Sequence, residues 1–452
     1  MKISIIGCGY VGVVTGLCLA DKGHKIYFFD KDKEKITNFK EGKQIIFEKN
    51  LKKKFNSAKK KKNIFFCDDI STCINKTSAS FICVGTPFHN GNIDLKQIKN
   101  VTEKIAKVLV YKKFHTIIYK STIPPLTIDN YCMPIFKNKL GKNMGKNYKV
   151  ISNPEFLREG NAISDFENPK RIVVGIRDNQ SKKIINSIYS SYKRKSKIIY
   201  VDLKTAEFIK YFSNSFFSLL ISFSNEIANL SQKLKIDFIE VLKAFKLDAR
   251  LISNKGQLPE MIRYLKPGIG YGGSCFPKDI KTFIKFAELN NHKINILKEV
   301  DKVNTKQPII ISKLIKKEFI LKKIKKCLFL GIAFKENTDD IRNSTGISLL
   351  NLLSKNKFKI YVYDDLFSKE KFIKNKNLFN SNIKYLSKLW KKINFDAIII
   401  NNKSKKYIDM IKYYNKKNNI LIYDSRRILE KSNFKNYLGA SLSSETVKKK
   451  YH

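Results

Sequence analysis

No window of about twenty consecutive apolar residues occurs in the sequence, and a transmembrane helix needs a run of roughly that length. The amino terminus turns glycine-rich after a short apolar run, which is not the pattern of a signal peptide. The eight cysteines are scattered, lack metal-ligand spacing and mostly lie in apolar runs typical of buried free thiols. We therefore expect a cytoplasmic protein without a membrane partner, a disulfide framework or a metal site.

Acidic residues are scarce: 39 Asp and Glu stand against 89 Lys and Arg, which gives a formal net charge of +50. Such a charge would suit a nucleic-acid-binding or membrane-surface protein. The lysines are spread through every segment together with Asn and Ile, however, and no single basic helix or tail gathers them. We therefore expect a solvated basic surface and no nucleic-acid partner. A surface of this sign would still favour encounters with an anionic pyrophosphate substrate.

Short apolar runs alternate with helix-like sequence in both halves of the chain, which is the pattern of a parallel sheet with helices on both faces. At 452 residues the chain exceeds what one hydrophobic core usually supports, so we expect more than one domain. The predicted strands are 2–6, 25–30, 80–84, 116–119 and 171–174 in the first half, then 326–331, 360–364, 396–400 and 420–424.

Between these two sets of strands, the stretch 205–247 has apolar residues at mixed three- and four-residue spacing. This spacing predicts one long buried helix that could join domains or subunits. The sequence therefore predicts an α/β protein with a helical region between two sheet domains.

A glycine motif follows the first strand and opens a helix. Gly7-Cys8-Gly9-Tyr10-Val11-Gly12 fits G-x-G-x-x-G, in which glycines let the backbone approach a pyrophosphate at a helix N-terminus. Asp30 closes the next strand, where a carboxylate can accept hydrogen bonds from ribose hydroxyls. Asp30 followed by Lys31 could instead cap a surface turn, but the complete order favours a dinucleotide site. A carboxylate there would repel a 2′-phosphate, so NAD is favoured over NADP.

The segment most suggestive of chemistry is 268–279, in which four glycines precede Cys275, Lys278 and Asp279. Glycines allow a ligand to approach closely, and a cysteine with charged neighbours is a candidate nucleophile. A cysteine in another setting would more often be inert core.

Other polar groups are ambiguous when taken singly. Glu155 and Glu159 would share a face if their segment were helical, although a solvated helix face is the simpler interpretation. Lys210 and Asn214 are four residues apart on an apolar helix, where polar groups need a partner or a ligand. The turns at 84–87 and 120–124 end predicted strands on the side where cofactors lie in such sheets. The loop 334–344 is dense in groups able to bind an anion, although it could be only a charged loop.

The motifs that occur in order along the chain are Gly7-x-Gly9-x-x-Gly12, 84–87, 120–124, 153–160, 171–175, 270–279 and 335–344. Together they resemble the UDP-glucose/GDP-mannose dehydrogenase family, from residue 1 to about residue 430. The cysteine loop and the Asn-Pro-Glu segment are the most specific parts. The resemblance implies two Rossmann-like doubly wound parallel-sheet domains joined by a central helical region: an NAD-binding domain at 1–200, a dimerisation region with the cysteine loop at 201–300 and a UDP-sugar-binding domain at 301–452.

The resemblance also implies the site residues. The catalytic set is Cys275 as nucleophile, with Lys210, Asn214, Asp279, Glu155 and Thr122 around it. The cofactor-binding set is Gly7, Gly9, Tyr10, Val11, Gly12, Asp30, Lys35, Thr86, Thr122, Glu159, Lys278 and Arg342. The substrate-binding set is Glu155, Phe156, Leu157, Lys210, Asn214, Arg250, Tyr271, Gly272, Gly273, Lys335 and Arg426, with Arg250 reaching across a homodimer to the partner's substrate.

The implied reaction takes a sugar's primary alcohol to a carboxylate in two hydride transfers to NAD, through a thiohemiacetal and a thioester on Cys275. UDP-glucose is the expected substrate, because the residues around Cys275 and at 169–175 look like that branch of the family. GDP-mannose is the alternative, since its enzymes share the Gly-Gly-Ser-Cys pattern, whereas the N-acetylhexosamine branch more often has a histidine before the cysteine. A non-catalytic nucleotide- or polyanion-binding protein is the alternative from another class, and it predicts steeply salt-dependent binding without turnover.

Overall fold

The computed structural model describes residues 1–89, 91–192, 196–253, 256–356, 358–387, 393–418, 420–442 and 444–445. The chain divides into two units, Met1–Ser213 and Asn214–His452. The long helix Leu203–Lys233 contains the boundary between them. The predicted α/β class, with two Rossmann-like parallel sheets and a helical region, is confirmed. The three domain limits given above stay a prediction.

An eight-stranded sheet forms the centre of the first unit, in the order β10, β9, β8, β7, β4, β1, β2, β3. Neighbouring strands are parallel except β8 and β9, and the short strands β5 and β6 form a separate antiparallel pair. The strands are β1 (Lys2–Ile6), β2 (Lys25–Phe29), β3 (Ile64–Phe66), β4 (Ala79–Ile82), β5 (Phe88–His89), β6 (Asn92–Ile93), β7 (His115–Tyr119), β8 (Tyr148–Ser152), β9 (Arg171–Gly175) and β10 (Lys197–Val201).

Both faces of this sheet are covered, because successive residues of a strand point to opposite sides. On β1, Ile5 belongs to one buried apolar cluster and Ile6 to another. Aspartates cap three of the helices by accepting an early backbone N–H, as Asp69 does from Thr72 at 2.7 Å. The helices are α1 (Tyr10–Asp21), α2 (Lys33–Lys40), α3 (Leu51–Lys60), α4 (Ile70–Asn75), α5 (Lys96–Leu109), α6 (Met133–Leu140), α7 (Ala162–Glu167) and α8 (Asn179–Ile188).

The second unit contains helices followed by a six-stranded parallel sheet in the order β13, β12, β11, β14, β15, β16. The strands are β11 (Lys326–Leu330), β12 (Lys359–Tyr363), β13 (Lys384–Tyr385), β14 (Ala397–Ile400), β15 (Leu421–Asp424) and β16 (Tyr437–Gly439). The helices, counting the one that enters from the first unit, are α9 (Leu203–Lys233), α10 (Phe238–Phe245), α11 (Phe276–Leu289), α12 (Asn295–Leu321), α13 (Thr345–Ser354), α14 (Lys369–Lys374) and α15 (Lys405–Asn418).

The prediction of one continuous buried helix over 205–247 is wrong on two counts. The helix stops at Lys233, since Lys235 has a left-handed φ of +61° and Asp237 caps α10 by accepting the N–H of Ile239. Several of its apolar side chains are also exposed in the single chain: Phe212 is 60% and Phe223 55% exposed. The buried side of α9 is instead rich in small polar residues, namely Asn214, Ser215, Ser218, Ser222, Ser224 and Asn225.

No helix of the described residues is long and apolar enough to span a membrane. Within the same residues, no group of three or more His, Cys, Asp and Glu side chains is placed to hold a metal ion. None of the eight cysteines, all of which lie within the described residues, forms a disulfide; Cys275 is half-buried and the other seven are buried.

Candidate active site

The glycine motif forms a tight turn between β1 and α1. Gly7 has a φ of +101°, and its N–H donates to the carbonyl of Phe29 at 2.8 Å. A Cβ on Gly12 would lie 1.9 Å from the Gly7 carbonyl oxygen, so only glycine lets the helix start this close to the turn. A Cβ on Gly9 would meet nothing within 4 Å. Because no side chain caps α1 at Gly9, its first N–H groups are open to an anion.

Asp30 lies beside this turn, and its side chain is 12% exposed. Its carboxylate accepts the N–H of Cys8 at 2.7 Å and that of Asp32 at 3.1 Å, and Lys35 Nζ lies 3.3 Å away. An uncapped helix start, an open glycine and a partly exposed carboxylate fit a dinucleotide's pyrophosphate and ribose. The predicted residues that meet at this turn are Gly7, Gly9, Tyr10, Val11, Gly12, Asp30 and Lys35.

Two predicted threonines lie together at neighbouring strand ends. Thr86 follows β4 and donates its hydroxyl hydrogen to the carbonyl of Thr122, which follows β7, at 2.7 Å. In the sheet β4 lies next to β1 and β7 lies next to β4, and because these strands are parallel their carboxyl ends lie on the side of the glycine turn. The structure thus brings both threonines to the sheet edge at which Rossmann-type folds bind their cofactors.

The 153–160 segment is a loop, so the suggestion that Glu155 and Glu159 share a helix face is wrong. Glu155 is buried and its carboxylate lies 3.1 Å from Lys210 Nζ, whereas Glu159 is half-buried. Both partners of that ion pair are nearly inaccessible, with side chains 6% and 5% exposed. Lys210 Nζ also lies over the ring of Phe156, 5.3 Å from its centroid, in a cation–π contact. The backbone N–H of Leu157 donates to the Glu155 carboxylate.

Lys120 is a buried residue of this region that the sequence analysis did not single out from its segment. Its Nζ donates to the carbonyl of Asn153 at 3.3 Å and to Asn153 Oδ1 at 3.1 Å, and the Tyr189 hydroxyl reaches the same Oδ1 at 2.6 Å. Burial lowers the pKa of Lys120 to about 8. A lysine directly after the predicted strand 116–119 was the available signal.

Buried carboxylates are further residues that sequence reasoning missed. Glu48 is 3% exposed and accepts the N–H of Gly160 at 2.8 Å. Glu207 accepts the N–H of Ile128 at 3.1 Å, and burial raises its pKa to about 8. Glu48 lies in a stretch without regular pattern, so its sequence carries no signal. Glu207 stands three residues before Lys210, and a charged residue on the same side of an apolar helix could have marked it.

The glycines before Cys275 shape its loop by close packing. A Cβ on Gly272 would lie 2.3 Å from the Asn343 carbonyl oxygen, and one on Gly273 would lie 2.7 Å from the ring of Phe334. The Asn343 amide donates to the Gly273 carbonyl at 3.1 Å, and Gly273 N–H donates to the carbonyl of Arg342 at 2.9 Å. Tyr271 is 5% exposed, and its N–H donates to Asn304 at 2.7 Å. The predicted loop 334–344 therefore holds the cysteine loop.

Cys275 stands at the start of α11 and is half-buried, with its sulfur 3.5 Å from the Ser274 hydroxyl. A helix N-terminus favours negative charge, which suits a reactive thiolate. Asp279 lies one turn further along, 1% exposed. Its carboxylate accepts the amide of Asn214 at 2.5 Å and the ammonium of Lys278 at 2.5 Å. Asn214 itself lies one helical turn after Lys210 on α9.

The predicted basic residues have different surroundings. Arg426 is clamped within the second unit, donating to the carbonyls of Gly270 at 3.1 Å and Phe334 at 3.2 Å, and burial lowers its pKa to about 10. Arg342 and Arg250 are exposed and pair with the aspartate two residues before each, at 2.6 Å. Lys335 is half-buried, with Nζ 5.4 Å from the centre of the Phe334 ring.

A dinucleotide turn in the first unit, and a half-buried cysteine one turn from a buried carboxylate in the second, define the chain as a nicotinamide-dependent oxidoreductase. Comparison with known proteins makes this specific. Residues 1–193 match the NAD binding domain of the UDP-glucose/GDP-mannose dehydrogenase family, residues 204–306 its central domain and residues 328–431 its UDP binding domain. The chain belongs to this family and is an NAD-dependent nucleotide-sugar 6-dehydrogenase.

Individual relatives agree with the family. A UDP-glucose 6-dehydrogenase of Rickettsia bellii is 35% identical over 441 residues, 95% of this chain and 96% of that protein. A putative UDP-glucose 6-dehydrogenase of Bacillus subtilis is 35% identical over 367 residues, 80% of this chain and 81% of that protein. The solved UDP-glucose dehydrogenase of Pyrobaculum islandicum superposes with a TM-score of 0.85 at 28% identity, over 98% of each chain.

Proposed function

We propose that the protein oxidises the C6 hydroxymethyl group of UDP-glucose to a carboxylate, yielding UDP-glucuronate. The full-length relatives and the Pyrobaculum structure named for UDP-glucose support this substrate. The single observation that carries the chemistry is Cys275, half-buried at a helix start with the buried Asp279 one turn away. The balanced overall reaction converts one alcohol, two NAD⁺ and one water to one carboxylate, two NADH and three protons.

Bound at the glycine turn, NAD supplies the hydride acceptor for both oxidations. Cys275 acts on the sugar carbon between them: its thiolate adds to the aldehyde carbon, forming a C–S bond, and the carbonyl oxygen takes up a proton. Loss of the second hydride, together with that proton, leaves a thioester. Water then adds to the thioester carbon, the C–S bond breaks, and the thiolate is regenerated with the carboxylate product.

The other predicted residues would take supporting roles in this scheme. Lys210 and Asn214, one turn apart on α9, would stabilise negative charge on the sugar oxygen. Asp279, Thr122 and Glu155 would orient or deprotonate the hydrolytic water. The proposed substrate contacts are Phe156, Leu157, Arg250, Tyr271, Gly272, Gly273, Lys335 and Arg426, and Glu159, Lys278 and Arg342 are proposed at the cofactor.

The test is to incubate the purified protein with NAD and, separately, UDP-glucose, GDP-mannose and UDP-N-acetylmannosamine, counting NADH formed per sugar consumed. Two NADH per UDP-glucose are expected. Cys275→Ala should abolish uronate formation, while Cys327→Ala, which removes a buried thiol on β11 of the same unit, should retain it. One NADH per sugar with the aldehyde as product would contradict the thioester scheme.

GDP-mannose is the second candidate, because a GDP-mannose 6-dehydrogenase of Pseudomonas savastanoi pv. phaseolicola is 33% identical over 408 residues. Turnover with GDP-mannose alone would move the substrate. Binding of sugar nucleotides without turnover of any would favour the non-catalytic alternative.

We also propose a homodimer built on α9. Its apolar residues Phe223, Ile227 and Leu230 follow helical spacing and are 55%, 37% and 52% exposed. Residues on its polar side make hydrogen bonds within the second unit, where Ser222 donates to the Val300 carbonyl at 2.9 Å and Asn225 accepts the N–H of Gly268 at 2.8 Å. An exposed apolar stripe of this kind marks an interaction surface.

Sedimentation of wild type and Phe223→Asp tests the dimer, and Lys233→Asp on the last turn of the same helix is the matched charge control. Phe223→Asp should sediment as a monomer at concentrations where the control remains a dimer. The absence of a nucleic-acid partner and the cytoplasmic location stay predictions.

A further inference from the structure

Three distant segments of the first unit meet at one hydrogen-bonded group, which we call the Tyr10–Glu48 cluster: Tyr10, Glu48 and Gly160. The backbone N–H of Gly160 points at two oxygens, 2.7 Å from the Tyr10 hydroxyl and 2.8 Å from Glu48 Oε2. The Tyr10 hydroxyl in turn donates to the Glu48 carboxylate. Tyr10 is the first residue of α1, immediately after Gly9 of the cofactor turn. The cluster thus connects the cofactor turn to the end of the 153–160 loop.

Burial makes these contacts costly to lose. Glu48 is 3% exposed, and a buried carboxylate without donors is strongly unfavourable. Burial and the hydrogen bond with Glu48 raise the pKa of Tyr10 well above its ordinary value, so its hydroxyl remains a donor throughout the physiological range. Two donors, the Tyr10 hydroxyl and the Gly160 N–H, therefore converge on the buried Glu48 carboxylate.

The same loop is anchored again at its other end. Glu155 pairs with Lys210 at 3.1 Å, and between the two anchors Arg158 pairs with Asp165 at 2.6 Å. Gly160, with a left-handed φ of +80°, ends the segment at the cluster. A loop fixed at both ends has few conformations left to lose, which is how side chains between the anchors keep a defined position.

We propose that the Tyr10 and Glu48 side chains are positioning residues that hold the 155–160 segment against the start of α1, so that the nucleotide-sugar loop and the cofactor turn share one anchor. This inference rests on the proposed function, because it assigns the loop to substrate. Neither side chain touches the sugar in this proposal. They act through the Gly160 backbone and thereby through the placement of Glu155, Phe156 and Glu159.

The proposal separates two quantities that a general loss of stability would change together. Without the cluster, the loop loosens while the N–H groups at the start of α1 keep their geometry. We therefore expect the KM for the sugar nucleotide to rise and kcat to fall, together by about tenfold or more in kcat/KM. In the Glu48 variants, the Kd for NADH should change by less than about threefold, equivalent to less than ~0.7 kcal/mol. Tyr10 itself belongs to the predicted cofactor-binding set, so Tyr10→Phe does not serve for this comparison.

The experiment uses the full chain and Tyr10→Phe, Glu48→Ala and Glu48→Gln. Tyr200→Phe is the matched control, because it removes a hydroxyl that donates to Asn186 at 2.8 Å in the same unit. Amide hydrogen exchange of the protein alone should be at least about tenfold faster for peptides covering 155–161 in Tyr10→Phe and Glu48→Ala. Glu48→Gln should be closer to wild type, because its amide oxygen still accepts the Gly160 N–H. Tyr200→Phe should leave this loop unchanged.

Steady-state kinetics and NADH fluorescence titration complete the test. Unchanged exchange of 155–161 in both Tyr10→Phe and Glu48→Ala would overturn the proposal, as would faster exchange with unchanged kcat and KM. An NADH Kd that weakens as much as the sugar KM in Glu48→Ala would also overturn it. If wild type oxidises none of the sugar nucleotides, the proposed function fails, while exchange and NADH binding still report whether the cluster holds the loop. If Tyr10→Phe does not fold, the comparison of Glu48→Ala with Glu48→Gln decides.

Discussion

The first strands of the two parallel sheets, β1 and β11, end in the same kind of turn. Gly7 and Gly331 follow them with left-handed φ angles of +101° and +87°. Each donates its N–H to the last residue of the neighbouring strand, Phe29 at 2.8 Å and Tyr363 at 2.9 Å. Each turn also has an aspartate that accepts the next backbone N–H, at 2.7 and 2.8 Å.

The two aspartates differ in what else they contact. Asp30 retains partial exposure, with 12% of its side chain accessible, and it lies beside Lys35. Asp364 is 5% exposed and accepts further backbone N–H groups, from Ala333, Leu366 and Phe367. Burial raises the pKa of Asp364. The Asp30 carboxylate can accept a hydrogen bond from a ligand, whereas the Asp364 carboxylate makes its hydrogen bonds to backbone N–H groups of the fold.

The chain after the turn differs as well. In the first unit α1 begins at Tyr10, directly after the turn, and offers its open N-terminus. In the second unit α13 begins only at Thr345 and is capped by Ser344, and the intervening loop packs on the cysteine loop. The comparison teaches that a glycine turn with an acid is a structural device of the fold. A dinucleotide site also needs a helix N-terminus that no side chain caps and a carboxylate that is partly exposed to the ligand.

The largest expected effect comes from filling the first turn. Gly9→Val places its side chain in open space, so the fold should persist with little change in Tm. The same side chain occupies the approach to the α1 N-terminus, and we expect the NADH Kd to rise about 100-fold, or ~2.8 kcal/mol. Fluorescence titration of NADH measures this.

Gly331→Ala is the counterpart in the second turn. Its Cβ would lie 2.9 Å from Asn402 at a left-handed φ, so stability should fall by about 1–3 kcal/mol. NADH affinity should nevertheless stay within about twofold of wild type. Equal weakening of NADH binding in both variants would break the comparison.

Exchanging the acids should have the next largest effect. Asp30→Asn loses the charged acceptor for ribose, and we expect about tenfold weaker NADH binding together with less discrimination against NADPH. Asp364→Asn cannot accept all of its backbone donors, and its unfolding free energy should fall by about 2 kcal/mol while NADH affinity persists. Urea unfolding and NADH titration check both. An Asp364→Asn protein with wild-type stability would contradict the assignment.

Sequence alone could predict most of the first turn, because strand, glycines, helix, strand and acid follow each other within thirty residues of chain. It could also mark the glycines around 270. It could not show that Gly272 and Gly273 are required by Asn343 and Phe334, because that packing joins segments far apart in the chain. The buried Glu48 was missed for the same reason, since its partner Gly160 lies far along the sequence.

The two wrong predictions also have physical causes. The 153–160 segment is a loop whose ends are tied to Lys210 and Tyr10, and such tertiary contacts override the local spacing of its glutamates. The apolar residues of α9 predicted burial, but their periodicity shows only that one face of the helix is apolar and is favoured to be buried against another surface. It does not report whether the cover belongs to the same chain.

A smaller expected effect is a pH dependence of stability, which should be found in the first sheet, where a histidine is buried, and not in the second. In the first sheet, His115 is buried and hydrogen-bonded to Ser80 at 2.6 Å, and burial lowers its pKa from 6.5 to about 3. The unfolded chain binds a proton below pH 6.5 and the folded chain does not, so acidification removes stability. Between pH 7.5 and 5.5 the loss is about 1.4 kcal/mol. Glu207, with its raised pKa, acts in the opposite direction over this range, so wild type must be compared with a variant.

Hydrogen exchange of β4 and β7 in wild type and His115→Asn, at both pH values, isolates the histidine term. Wild type should lose about 1.4 kcal/mol more protection on acidification than His115→Asn does. Peptides of β11 and β14, whose strands are apolar and buried, should show no difference between the two proteins. Equal pH dependence of β4 and β7 in both proteins would show that His115 is not the group that titrates.

The smallest expected effect tests the lysine beside Asp30. Lys35 Nζ lies 3.3 Å from Asp30 and its side chain is 29% exposed, so the pair should contribute less than about 1 kcal/mol. Lys35→Met should raise the NADH Kd by less than about threefold, with Lys31→Met, which changes an exposed lysine directly after Asp30, as the control. If Lys35 only tunes Asp30, the Lys35→Met effect should vanish in the Asp30→Asn background. A loss of tenfold or more that persists in that background would mean that Lys35 contacts the cofactor itself, and the first turn would then owe its selectivity to a cation as well as to its acid.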